Sequence, residues 1–340
     1  MKRTELLAAL DRLLVLEKRD RDTRDSYASV VAQFWQWCIG QGAALAPVTE
    51  DRVSGYLGAH AERWAVSTQR VHLCGLVKAF RAVGKPLGRL PEWTAAKRPR
   101  RLPEWLSDQE LRAVIDMLRG EDRMACALMG GGGLRRNEAV SLRLRDLNFQ
   151  EGSVTVRQGK GDKDRTTCLP RMIADELMMQ MERARAVWRE DRAEGRPGIY
   201  VPDAILHKQP NAGKEERYFW LFPARNLSHD PATGIMRRHH LHYDSVRTAL
   251  GKAARRCGIL RSVRCHTLRH TFATQYLLNG GSIHELQELL GHASIQTTEV
   301  YLHCLPMLGG RVRSPLDAAP SKVVHFPVQP ALPRPNSAAL

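Results

Sequence analysis

HTLRHTFATQYLLNGGSIHELQELLGHASIQTTEVYLH, residues 266–303, is the stretch whose reading decides the fold class. Helical patterning runs through it, from about Asp244 to Leu302. His266 and Arg269 stand three apart, which puts both on one helix face. His292 and Tyr301 follow near its end. Singly these are ordinary: His and Arg meet this spacing by chance, and a lone helical tyrosine is usually a packing residue. Their reading depends on what lies upstream.

Working outward, the chain just before this stretch loses its periodicity. Residues 195–243 contain EGRPGIYVPD, QPNAGKEERYFWLFPARN and RRHHLHYD. Long irregular segments inside compact domains tend to be functional or disordered. Before them a helix is predicted from about Arg171 to Glu194. Before that, SVTVRQ and TTCLP flank GKGDKDR, two β-prone runs around a Gly-rich turn, which reads as a hairpin. Helical signals cover LSDQEL to about Leu144. Ser107 and Glu110 form a capping box there, with Leu106 and Leu111 as its hydrophobic staple.

The first hundred residues read as four amphipathic helices. Tyr27, Val30, Val31, Phe34, Trp37 and Cys38 share a helical spacing that Gly40 stops. Thr49 is a candidate cap for a helix with Val53, Tyr56 and Leu57. Ser67 is the candidate cap for one bearing Leu73, Leu76, Val77 and Phe80, ended by Gly84. TAAKRPRRLPEW has linker composition. The expected layout is a helical domain over 1–95, a basic linker at 96–103, a larger domain over 104–317 with an added segment at about 195–243, and a Pro- and Ala-rich disordered tail over 318–340. The fold class is mainly α with a small β-sheet.

Composition narrows the function classes. Lys and Arg number 52 against 36 Asp and Glu, a net charge of +16 over 340 residues. A chain this basic usually has a polyanionic partner. Its seven cysteines are scattered and contain no CxxC pair, which argues against a disulfide framework and a zinc site and fits a reducing compartment. Charges interrupt every apolar run of MKRTELLAALDRLLVLEKRD, an amphipathic helix rather than a signal peptide. The expected location is cytoplasmic.

Phosphoryl transfer needs charge neutralisation, a nucleophile and a proton donor for the leaving oxygen. Arginine's planar fork can meet phosphate oxygens in pairs. Metal-binding patterns are few, so an arginine-based reading is favoured, with no metal and no cofactor. Arg135 follows four glycines at a helix start, where backbone can approach a ligand closely. Its plain alternative is a surface arginine beside a Gly-rich turn. Lys160 sits in the hairpin turn, where most lysines are simply solvated.

The order of the motifs is the decisive feature: GLRRNE, GKGDKDR, HTLRHTFAT, then LLGHASIQTTEVYLH. In that order the chain resembles the tyrosine recombinase (phage-type integrase) family, matching at Arg135, Lys160, His266, Arg269, His292 and Tyr301. Glu138, Gly161, Arg165, Gly291 and Thr297 match around them. The resemblance implies a SAM-like core-binding DNA-binding domain and a mixed α/β catalytic domain that together clamp DNA. It implies that Tyr301 attacks the scissile phosphate to give a 3′-phosphotyrosine, that Arg135 and Arg269 clamp its oxygens, and that Lys160 protonates the leaving 5′ oxygen. His266 would handle the tyrosine proton, His292 would bind the phosphate, and Glu138 would orient Arg135. Four protomers would assemble on two DNA sites, with roughly residues 304–317 docking on a neighbour.

RYFWLFPARNLSHDPATGIMRRHHLHYDSVRTAL is further similar to the added segment of integron integrases, which act on cassette sites folded from one DNA strand and on a double-stranded partner site. Trp220, Pro231, His239 and His240 would then offer flat or rigid surfaces to an extruded base, worth roughly 1–3 kcal/mol per stacked base. Arg237 and Arg238 would neutralise nearby phosphates. Against this stand RRHHLH as a basic helix face on duplex, and Trp220 as core. Three other readings stay open: a phage- or Xer-type recombinase on duplex sites, a catalytically inactive architectural DNA-binding protein, and a type IB topoisomerase.

Overall fold

A computed structural model describes residues 3–17, 19, 21–42, 49–88, 103–157, 164–230 and 233–304. The chain separates into two compact units, Met1–Arg100 and Arg101–Leu340. Lys160, Pro231, most of the basic linker and everything after Cys304 lie outside the described residues.

Among its described residues the first unit has four helices: α1 (Arg3–Leu16), α2 (Arg21–Gly40), α3 (Glu50–Ala59) and α4 (Val66–Ala82). Val30, Phe34, Val53, Tyr56, Leu76 and Phe80 form one core cluster, and Leu6, Leu10, Leu14, Val31 and Ala79 another. The periodicity therefore identified the buried faces. The caps differ from expectation. Thr49 precedes α3 without a side-chain capping bond, and α4 begins at Val66, which puts Ser67 inside its first turn.

The second unit opens with α5 (Asp108–Met117), α6 (Gly120–Gly132) and α7 (Arg136–Val140). Ser107 Oγ accepts from the Glu110 N–H at 3.2 Å, and the Ser107 N–H donates to Glu110 at 2.8 Å, which is the predicted capping box. Leu106 is fully buried beside it. Gly120 and Gly133 have φ of 56° and 69°, and these left-handed positions divide the helical run into separate helices.

Strands β1 (Leu147–Asn148), β2 (Ser153–Val156) and β3 (Arg165–Cys168) form a three-stranded antiparallel sheet. Val154 faces Thr167 across the β2–β3 pair, and both are buried with Val156. Helix α8 (Ala174–Ala193) follows a short 3-10 turn at Arg171–Ile173.

The aperiodic segment is packed, not loose. It holds α9 (Asp203–Leu206) and a hairpin of β4 (Pro223–His229) and β5 (Met236–His240), whose register shifts between Pro223 and Leu227. Ile199, Val201, Ala212, Tyr218, Phe219, Trp220, Leu221 and Phe222 are all buried in the main core. RRHH is thus a strand and not a helix face. Helices α10 (Tyr243–Arg256), α11 (Cys265–Leu278), α12 (Ile283–Leu290) and α13 (Gln296–Glu299) follow. Among the described residues no helix is long and apolar enough to cross a membrane.

Candidate active site

The site gathers at the C-terminal end of α12. The last carbonyls of a helix have no partners within it and carry partial negative charge. Three arginines from three separate elements use them. Arg165 donates from Nε to the Leu289 carbonyl at 2.9 Å, and Arg269 from Nη2 to the Leu290 carbonyl at 2.6 Å. Arg135 reaches the Gly291 carbonyl at 3.5 Å. Gly291 ends the helix with φ 62°, and a Cβ there would lie 2.7 Å from Arg165 Cδ. Glycine is therefore needed both for the turn and for the arginine beside it.

Glu138 holds the cluster from the other side. Arg135 donates to it through its backbone N–H at 2.7 Å and through Nη1 at 2.8 Å. Arg165 grips both of its oxygens in a bidentate pair. Arg269 Nη1 lies 3.9 Å away. Burial opposes ionisation of Glu138, but the arginines outweigh it and hold its carboxyl at about 2. It bonds Arg135 and Arg165 alike.

Arg269 is 2% exposed and also donates to the Gly133 carbonyl at 2.6 Å. Burial, reinforced by the like charge of Arg135, lowers its pKa to about 9. His292 Nε2 lies 3.2 Å from Arg269, and its Nδ1 meets Thr298 Oγ1 at 2.9 Å. Burial and then the Arg269 charge push His292 down to about 4, so its ring is neutral at pH 7.

Tyr301 is 3% exposed, and burial raises its pKa despite the field of Arg269. Its hydroxyl is 2.9 Å from His270 Nδ1. His266, to which the resemblance would give the tyrosine proton, does not make this contact. The two histidines are one helical turn apart on α11, with ring centroids 4.9 Å apart, and it is His270 that reaches the phenol. His266 is exposed instead. The HTLRHTFAT motif contains His270, and its spacing of four from His266 was the available signal. Arg165 appeared only as a flanking match, because nothing in the sequence joins it to Glu138.

The residues assigned to base recognition divide differently. Arg238 is buried and pairs with Asp191 through two hydrogen bonds of 2.7 Å, also donating to the carbonyls of Ala224 and Arg225. It roots the hairpin and has no free face for a phosphate. Arg237 lies 3.4 Å from Asp230, with its side chain 12% exposed. Trp220 is 4% exposed: its indole N–H donates to the Arg238 carbonyl, and the Arg143 guanidinium sits 4.3 Å from its ring centroid. Its faces are occupied, so the core reading of this tryptophan holds. His240 is half-buried, with Nδ1 2.8 Å from the Leu241 carbonyl. His239 is exposed. Among the described residues no three His, Cys, Asp or Glu side chains converge in a way that could hold a metal ion.

A mainly helical fold of this kind is shared with DNA-recombining enzymes of known structure. The Tn1549 transposon integrase in complex with transposon right end DNA superposes with a TM-score of 0.60 at 14% identity, covering 88% of this chain and 94% of that one. XerH bound to difH substrate gives 0.54 at 20% identity, over 82% and 75%. The sequence relationships are nearer. An integrase/recombinase of Escherichia coli is 41% identical over 263 residues, 77% of this chain and 78% of that protein. Tyrosine recombinase XerA of Pyrococcus furiosus is 27% identical over 307 residues, covering 88% and 89%. The model of the phage integrase family matches residues 104–306. The chain belongs to that family, the tyrosine site-specific recombinases.

Proposed function

We propose that this recombinase cuts and rejoins DNA through a 3′-phosphotyrosine at Tyr301, with the arginine cluster as the phosphate site. The observation that carries the proposal is a charge imbalance beside a buried phenol. Three guanidinium groups meet one carboxylate and one helix C-terminus, which leaves an excess of about +1.5 charges. A phosphate diester, with one negative charge, would offset most of it. Arg135, Arg269 and His292 bind the non-bridging oxygens as charge builds, the role fixed donors fill best. Lys160 protonates the leaving 5′ oxygen. Because the phosphotyrosine bond preserves the energy of the broken linkage, rejoining needs no ATP. Four protomers act on two sites, and residues 304–317 dock on a neighbouring protomer.

The finer reading is integration and excision of gene cassettes at folded single-stranded sites and a double-stranded integron site. It is supported by the resemblance of residues 217–250 and by the β4–β5 hairpin. That hairpin is rooted by the buried Arg238–Asp191 pair, yet Ile235 and Met236 are 43% and 41% exposed on it, near exposed His239. In this reading His239, Pro231 and these apolar side chains receive the extruded base.

A nicked suicide substrate tests the chemistry: wild type accumulates a covalent adduct and Tyr301→Phe gives none. An adduct persisting in Tyr301→Phe removes the nucleophile assignment. Gel shifts of a folded cassette strand against its duplex test the finer reading. Tighter binding of the folded strand, lost in His239→Ala, is expected. Equal affinities untouched by that change leave recombination of duplex sites.

A further inference from the structure

We infer that His270 is the catalytic base that takes the proton from Tyr301 during strand cleavage. The inference rests on Tyr301 being the nucleophile, and it identifies the group that activates it.

A phenol with pKa near ~10 is a weak nucleophile at neutral pH and must lose its proton as it attacks. The acceptor has to be within hydrogen-bond reach of the hydroxyl, at roughly 2.6–3.2 Å. His270 Nδ1 meets this at 2.9 Å from Tyr301 Oη. His266, on the same helix, makes edge-to-face contact with the His270 ring, one helical turn from it. Backbone geometry fixes the contact from both ends. Tyr301 lies between α13 and the 3-10 turn at Leu302–Cys304, packed with Phe272, Ala273 and Leu286. His270 sits on α11 directly after Arg269, which is pinned by the Gly133 and Leu290 carbonyls.

The charge state suits a base. Burial and then the fields of His266 and Arg269 hold the His270 ring at about 4, so it is neutral at pH 7. In the tautomer with hydrogen on Nε2, its Nδ1 accepts the phenol's proton. An incoming phosphate would offset the Arg269 charge and raise the basicity of His270 as the substrate binds. The Tyr301 O–H bond breaks and its proton goes to His270 Nδ1. The Oη–P bond forms, the P–O5′ bond breaks, and O5′ takes a proton from the donor assigned to Lys160. In rejoining, the 5′ hydroxyl attacks phosphorus and the proton on His270 returns to the leaving phenol.

The test compares adduct formation on the nicked substrate for wild type, His270→Asn and His270→Gln, each with tyrosine or a fluorinated tyrosine at position 301. DNA affinity by gel shift serves as the check on folding. The expected result is a loss of roughly 10²-fold in cleavage rate for both variants with ordinary tyrosine. The loss should shrink to under ~10-fold with the more acidic fluorophenol, because that nucleophile depends less on a base. An equal loss with either phenol reduces His270 to a packing group, and no loss removes it from the reaction. Either outcome overturns the inference while leaving Tyr301 as nucleophile, provided Tyr301→Phe still abolishes the adduct. An adduct in Tyr301→Phe would instead overturn the nucleophile itself.

Discussion

Replacing Glu138 with glutamine should expose how much of the catalytic unit's stability comes from holding its arginines together. Glutamine keeps the shape and one acceptor oxygen but removes the charge that Arg135 and Arg165 share. The carboxyl is held at about 2 against an ordinary 4.5, and Glu138 and Arg165 side chains are only 11% and 7% exposed. That difference corresponds to about 3 kcal/mol of preference for the ionised form in the folded state. The sign follows from a depressed folded pKa: the stabilisation is fully present above about 4.5 and is lost as pH falls through about 2. At neutral pH, Glu138→Gln should therefore lower stability by about 3 kcal/mol, or roughly 6–12 °C in Tm for a unit of this size. The gap from wild type should narrow by more than half on moving to about pH 3. Calorimetry of both proteins across that range measures it. A gap that stays constant with pH would refute the charge argument and leave only a lost hydrogen bond.

Two further substitutions probe the scaffold. Gly133→Ala meets a φ of 69°, costing about 1–2 kcal/mol, and places a Cβ 2.5 Å from the Phe272 ring, adding about 1–3 kcal/mol of overpacking. Because Gly133 also supplies the carbonyl that anchors Arg269, cleavage rate should fall along with Tm; a normal rate in a destabilised protein would disconnect the two. Arg238→Met strips one partner from buried Asp191, which keeps Arg196 at 2.6 Å, so a loss near the lower end of about 3–5 kcal/mol is expected. Its DNA affinity, measured well below the lowered Tm, should match wild type; a large affinity loss without a stability loss would restore a phosphate-binding role.

Local signals were legible in the sequence because local physics produces them. The Ser107–Glu110 box, the helical faces of the first unit and the β2–β3 pair each depend on residues close in the chain. The segment from 195 to 243 was not legible in this way. Its aromatic run is buried by partners such as Arg143, which lies about eighty positions earlier, and its hairpin pairs strands through a register shift that no period reveals. Arg238 and Arg237 are adjacent and chemically alike in the sequence. Only Asp191 on α8, 47 positions away, turns the first into a buried anchor.

The sequence by itself supplied an ordered series of arginines, histidines and a tyrosine, but it did not single out His270 and offered Arg165 only as a flanking match. The tertiary structure decided what each of them touches. Helix α12 ends at Gly291 with unpaired carbonyls, so arginines from three elements converge there and share Glu138. The same packing brings the Tyr301 hydroxyl to His270 rather than His266. One turn of helix separates those histidines, and the phenol's position relative to α11 is set by the core around it, beyond the reach of any spacing rule.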